Sequence, residues 1–322
     1  MAAPDDFMPV AITDRNGLDE SVHFGAVVGL GADGRIDFAV GNPHTVVYPR
    51  SSNKPMQAVA MVRAGLRLPP SLLALVCASH DGTPAHTAGV VRILGGAGLG
   101  PEALANTASL PIDEAAARDV LRSGGEGTPL LMNCSGKHSG MLATCVHNGW
   151  ALADPPDGYL AGDHPLQVAI TDVIDELCGE AHAHIGVDGC GAPAHAMSLA
   201  GLARAFRAIA VGAAGDAGAQ VYTAMTEHPE MVGGERRDVT VLMRGVPGLL
   251  AKDGADGVFA GALPDGRAFA LKIADGAERA RPSVILAALR ELGVDTNAVT
   301  QQMEIRIMGH GRTVGTVRAV AP

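Results

Sequence analysis

The two ends of this chain read as strands and its middle as helices, and that order constrains the fold more than any single motif. Over residues 23–41 apolar residues alternate on either side of the turn Gly31-Ala32-Asp33-Gly34, the period of two that marks a hairpin. Beyond Arg237 short apolar runs return at 248–251, 257–263 and 268–273, the last two joined by Pro264-Asp265-Gly266, and 313–320 reads as a closing strand. Between these the spacing predicts helices over 84–94, 113–121, 137–147, 165–178, 198–211 and 219–227, with another over 282–292. Pro55 suits a first helical turn, so 56–66 continues a helix whose start carries Ser51 and Lys54. Elements in this order predict an α+β fold: a mainly antiparallel sheet built from both chain ends with a helical lobe inserted, as a single two-lobed domain over 1–322.

Composition narrows the class. With 47% of 322 residues apolar and only 3% aromatic, the core must be built from Ala, Val, Leu and Ile. A formal charge of −10 argues against nucleic acid and against an anionic membrane surface as partners. No basic segment followed by an apolar stretch opens the sequence, and no apolar run approaches the ~20 residues needed to span a bilayer. Five cysteines without a short-range framework fit a reducing compartment, so a cytoplasmic protein is expected, its thiols buried or used as ligands.

The basic residues are unevenly divided: twenty arginines against four lysines. A guanidinium stays protonated in proteins, whereas a buried ammonium can lose its proton and act as base or ligand. Lysine is therefore informative where it was kept, and compositional bias toward arginine is the bland alternative. Lys272 fits the bland case, on the polar face of the alternating run Phe269, Leu271, Ile273. Lys54, Lys137 and Lys252 lie instead in Arg50-Ser51-Ser52-Asn53-Lys54-Pro55, Asn133-Cys134-Ser135-Gly136-Lys137-His138 and Leu250-Ala251-Lys252-Asp253-Gly254.

Ser51 and Lys54, three residues apart at a helix start, fall on one face, where a neutral amine could take the hydroxyl proton and helix N–H groups could receive an oxyanion. Ser52 could equally be a helix cap. Cys134 and Cys190, the latter in Asp188-Gly189-Cys190-Gly191, could converge on a soft metal such as zinc. Spacing alone favours His138 as third ligand; two small buried thiols, or a disulfide, are the alternatives, and burial is assumed for Cys145 and Cys178. In Cys77-Ala78-Ser79-His80-Asp81-Gly82, Ser79 is a candidate hydroxyl or a turn residue, and His80 a site residue or a surface side chain.

Taken in order, these segments, with Gly41-Asn42-Pro43, Asp163-His164-Pro165 and His228-Pro229-Glu230-Met231-Val232, resemble the class 3, or Rhizobium etli-type, L-asparaginases over most of the chain. The resemblance implies a fold similar to serine β-lactamases and penicillin-binding transpeptidases. It implies two serine-lysine pairs, Ser51 with Lys54 and Ser79 with Lys252, and a zinc ion on Cys134, Cys190 and Lys137 rather than His138. It further implies hydrolysis of L-asparagine, or in a related reading L-glutamine, with Arg50, Asp188 and His138 around the amino-acid substrate, and a homodimer. A zinc-binding protein without catalysis is the rival class. The chain departs from the family pattern at Arg237-Asp238-Val239-Thr240, where related sequences carry a cysteine, and at Asp81, which replaces a small polar residue.

Overall fold

The computed structural model describes residues 3–153 and 158–320. The chain enters its main sheet through β1 (Met8–Arg15) and returns in β2 (Leu18–Leu30) by way of Asn16-Gly17, both at positive φ, 50° and 83°. Asn and Gly tolerate that conformation, and two such residues in succession close a tight hairpin. β2 then pairs with β3 (Ile36–Val40), which is the hairpin predicted over 23–41. The short β4 (Val46–Val47) and a 3-10 turn (Arg50–Asn53) lead into the helical part.

That part runs through α1 (Lys54–Arg63), α2 (Pro70–Val76), α3 (Pro84–Gly96), α4 (Glu114–Arg122), α5 (Ser135–Asn148) and α6 (Pro165–Cys178). A hairpin of β5 (His184–Val187) and β6 (Pro193–Ser198) interrupts it, and β4 completes this small sheet in the order β4-β6-β5. Four helices follow: α7 (Leu199–Ala210), α8 (Gly215–Glu227), α9 (Pro229–Val232) and α10 (Asp238–Gly245). The chain then returns to the main sheet in β7 (Leu250–Asp253), β8 (Val258–Ala262) and β9 (Ala268–Ile273), and closes with α11 (Arg281–Glu291), α12 (Asn297–Met303), β10 (Arg306–Gly309) and β11 (Arg312–Ala319).

The main sheet has eight strands in the order β10-β11-β1-β2-β9-β8-β7, with β3 attached to β2, and every pairing is antiparallel. Strands from both ends therefore build one sheet: Ala11 of β1 faces Ala319 of β11 on one side and His23 of β2 on the other. Every residue of β8 is buried, so both of its faces are covered. α7 and α11 each pack on β2, β8 and β9 and supply those covers. The core is aliphatic, as composition requires, with Phe259 and Phe269 as a stacked pair at 6.1 Å between centroids.

α1 is buried along nearly its whole length, from Lys54 to Val62, between α5, α6 and α8. A helix enclosed on all sides is a core helix rather than an amphipathic surface one, and its first residue is thereby carried into the interior. No helix among the described residues is long and apolar enough to cross a membrane.

Candidate active site

β7 is the edge strand of the main sheet, and the 3-10 turn lies against it. Ser52 donates its hydroxyl to the Lys252 carbonyl at 3.1 Å, satisfying an acceptor that an edge strand leaves open. Ser52 is thus a fastener between turn and sheet rather than a helix cap. The backbone Lys54 N–H goes to the Ser51 carbonyl and Pro55 has none, so two groups of this helix start are not free for an oxyanion.

Lys252 points into the protein and is fully buried. Its Nζ donates to the Ser79 hydroxyl at 3.0 Å and to the Asp253 carbonyl at 2.8 Å, and it is paired with the Asp253 carboxylate. Burial, with help from the nearby Lys54 and Arg237 charges, lowers its pKa to about 8 against the pull of Asp253. Burial pushes the Asp253 carboxyl upward, but Lys252, Arg237 and Arg281 outweigh it and hold that group below its ordinary value.

Ser79 lies in the loop after α2, held by its N–H on the Val232 carbonyl at 3.0 Å. Its hydroxyl receives a second amine: Lys54 Nζ approaches at 3.1 Å, and also donates to the Ala78 carbonyl at 2.5 Å and the Cys134 sulfur at 3.2 Å. Both lysines therefore converge on Ser79. Ser51, one 3-10 turn before Lys54 and partly exposed, shares that side of the chain; among the described residues its hydroxyl has no hydrogen bond. The expected Ser79–Lys252 pair is present as a contact, whereas the Lys54 amine sits on Ser79 rather than on Ser51.

His80 is not a surface side chain but fully buried. Its Nδ1 accepts the Gly82 N–H at 3.0 Å, which leaves the proton on Nε2 to donate to Ser135 Oγ at 2.9 Å. Burial, with the neighbouring His86 and Lys54, holds it neutral, well below the ordinary histidine pKa. Its role is to tie the Ser79 loop to the start of α5.

That start brings the second constellation together. Gly136 lets α5 seat on α2, since any side chain there would strike the Leu75 carbonyl. Cys134, Cys190 and Ala192 form a small buried cluster bordered by Met132 and Leu160. All five cysteines are free, so no disulfide joins Cys134 to Cys190; Cys145 and Cys178 are buried as expected. The two thiols influence one another: Cys134, with the Lys137 and His138 charges, holds Cys190 toward thiolate against burial, while Cys190 and burial raise Cys134, whose own proton goes to Asn133 Oδ1 at 3.1 Å.

Lys137 Nζ donates to the Cys190 sulfur at 3.1 Å. Burial works to lower its pKa, but the two sulfurs outweigh it and raise the group. His138 accepts or donates at Nδ1 with Tyr159 OH, 2.8 Å away. That hydroxyl also accepts the Ala105 N–H at 3.2 Å, and the other ring nitrogen of His138 is Nε2. That Nε2 is buried without a regular hydrogen bond, and its charge is coupled to Cys190; burial and Lys137 lower the ring to about 4.

Two sulfurs and an amine gathered in a buried cluster beside a ring nitrogen without a partner are a donor set that fits a thiophilic cation. Among the described residues no group of three or more His, Cys, Asp or Glu gathers as a metal centre, so such an ion would depend on the lysine.

Arg50 and Asp188 complete the rim. Arg50 adopts φ +52°, rare for a side-chain-bearing residue, and donates through Nε to Asp188 Oδ1 at 2.8 Å while pairing with Asp256. Strained backbone of this kind persists only where surrounding contacts over-determine it. Asp188 is presented by the β5–β6 turn, where its carbonyl accepts the Gly191 N–H. Asp253 and Asp256 escaped the sequence reading; the adjacency Lys252-Asp253 was the available signal for the first, and nothing local marks the second.

The sequence over residues 11–319 matches the family model described as L-asparaginase II. No curated protein matches the chain. Among solved structures, Mglu in its native form aligns at 15% identity and TM-score 0.42, covering 85% of this chain and 67% of that one. Mglu in its tris and glutamate form gives 14% and 0.43, over 88% of this chain and 62% of that one. A beta-lactamase from Mycobacterium bovis gives 14% and 0.37, over 83% and 94%. The chain thus spans about two thirds or less of the Mglu chains, and likenesses this distant carry no conclusion on substrate.

Proposed function

The chain belongs to the L-asparaginase II family and is an amidohydrolase, and we propose that it converts L-asparagine to L-aspartate and ammonia through an acyl-enzyme on serine. The observation that carries the proposal is the Ser79 hydroxyl held between the Lys54 and Lys252 amines at 3.1 and 3.0 Å. Desolvated amines in contact with a hydroxyl are the elements of serine-lysine proton transfer.

In this reading Ser51, at the accessible rim, is the nucleophile. Its oxygen bonds to the side-chain amide carbon while Lys54 accepts its proton; the C–N bond then breaks, and the returned proton leaves with ammonia. Catalytic hydrogen bonds often tighten only with substrate bound, so the present hold of Lys54 on Ser79 is compatible with that role. Water then attacks the ester, one proton passing through Ser79 to Lys252; as the acyl C–O bond breaks, a proton returns through Ser79 and Lys54 to the Ser51 oxygen, giving aspartate and the restored serine hydroxyl. Arg50 and Asp188 are matched to the carboxylate and ammonium of an amino acid, with His138 beside them. Cys134, Lys137 and Cys190 would hold a zinc ion, which when bound would orient and polarise the substrate.

The test is ammonia release from L-Asn, D-Asn and L-Gln by purified protein with zinc supplied, alongside Ser51→Ala. L-Asn turnover abolished in the variant supports the proposal. Preference for L-Gln would move the substrate, and zinc binding without turnover of any amide would leave only the non-catalytic reading.

A further inference from the structure

Arg237 and Asp81, far apart in sequence, touch one another beside the Ser79 loop. Arg237, at the start of α10, donates through Nη1 to Asp81 Oδ1 at 3.3 Å and through Nη2 to Asp253 Oδ2 at 2.7 Å. Asp81 follows the Ser79 loop and Asp253 follows Lys252, so one guanidinium spans the segments bearing both partners of the Ser79–Lys252 contact. The junction is closely built: Asp81 and Asp253 are buried, and Gly234 has no room for a side chain beside the Asp81 carboxylate.

Asp253 divides its two oxygens, one facing Lys252 and the other Arg237. Were Lys252 its only partner, deprotonating that amine would strand a buried carboxylate, which costs several kcal/mol. A guanidinium cannot lose its proton. We infer that Arg237 is a positioning residue that supplies Asp253 with a permanent counter-charge, so that Lys252 can exchange its proton with Ser79 without leaving that carboxylate unpaired.

The other groups acting on Lys252 and its carboxylate are Lys54 from α1, the Cys77 thiol after α2, and Arg281 from the first turn of α11. Arg281 is itself engaged by Asp238 at 2.7 Å and the Gly254 carbonyl at 3.3 Å. Arg237 is thus the arginine in direct contact with the Asp253 carboxylate. The direction of its influence on Lys252, downward, agrees with this geometry.

The inference rests on the proton-transfer role proposed for Lys252, and its test separates the two. With only four lysines, 13C-lysine labelling of the full chain gives a signal for Lys252 that Lys252→Met identifies. In Arg237→Gln its titration midpoint should rise by about one pH unit or more, and Arg237→Lys should restore it. Arg237→Met keeps the stem of the side chain and serves if the glutamine disturbs the fold. The acid limb of kcat/KM for amide hydrolysis should move by the same amount, with rate recovered at high pH. An unmoved Lys252 titration in both charge-removing variants overturns the inference, even if they melt at lower temperature. If the signal moves while the acid limb stays, the inference stands and Lys252 is not the rate-determining base.

Discussion

Replacing Lys252 by methionine should change how stability depends on pH, in a window set by its burial. The amine has an ordinary value of 10.5 and falls to about 8 in the fold. Between those limits the unfolded chain holds a proton that the folded chain has released, so wild-type stability rises with pH across the window. Below about 8 both states carry the proton and the penalty for burying it is constant. At 1.36 kcal/mol per pH unit the gain from 8 to 10.5 is about 3 kcal/mol. Methionine has no such proton, so the stability of the variant relative to wild type should fall by that amount over the window. A constant offset enters because Asp253 loses a donor, roughly 1–3 kcal/mol, moderated by its remaining 2.7 Å contact with Arg237. That offset cancels in the pH trend. Urea unfolding followed by circular dichroism at several pH values measures it, and parallel stability profiles for the two proteins would refute the reasoning.

Ser51→Ala should abolish turnover with melting temperature nearly unchanged, whereas Ser79→Ala, which removes an acceptor from two buried amines, should lower turnover by about 10²–10⁴-fold and also lower the melting temperature; acyl-enzyme trapping read by mass spectrometry should find the adduct on Ser51, and an adduct on Ser79 would reverse the two roles. Lys54→Arg should be nearly as damaging as Lys54→Ala, because a guanidinium cannot accept the serine proton; retention of most of the rate would make Lys54 a fixed charge. Zinc bound by the wild type should be released on acidification, as thiolates and the Lys137 amine are reprotonated, and should be lowered by Cys134→Ser but not Cys145→Ser; equal metal content in all three by elemental analysis would remove the proposed ligand set.

The parts of the fold legible in the sequence were those with a repeating pattern. The helix at 165–178 and the strand at 268–273 coincide with α6 and β9 because their spacing is regular and their ends carry Pro or Gly. The β1–β2 hairpin was missed although Asn16-Gly17 signals it. β5 and β6 were missed because β5 is mostly exposed and β6 buried throughout, so neither alternates. At the candidate site the sequence singled out the individual residues and paired Lys54 with Ser51, three positions before it, but gave no sign of the contact between Lys54 and Ser79. The burial of α1 instead carries that amine inward to Ser79, a relation between distant segments that local spacing does not encode. The same holds for Arg237 and Asp81, noted one by one as departures and joined only in the fold.

Because β11 adds to the outer side of β1, the sheet that presents Lys252 ends in β1 as an open edge until residues more than three hundred positions downstream arrive to cover it. During synthesis the strand made first is therefore among the last to gain both its neighbours. Until then β1 offers an open row of backbone donors and acceptors, the kind of template on which other chains pair. Long-range closure of this sort makes folding slow relative to a helical protein of equal length. The interval between translation of β1 and arrival of β11 is thus when this edge is open to pairing with other chains.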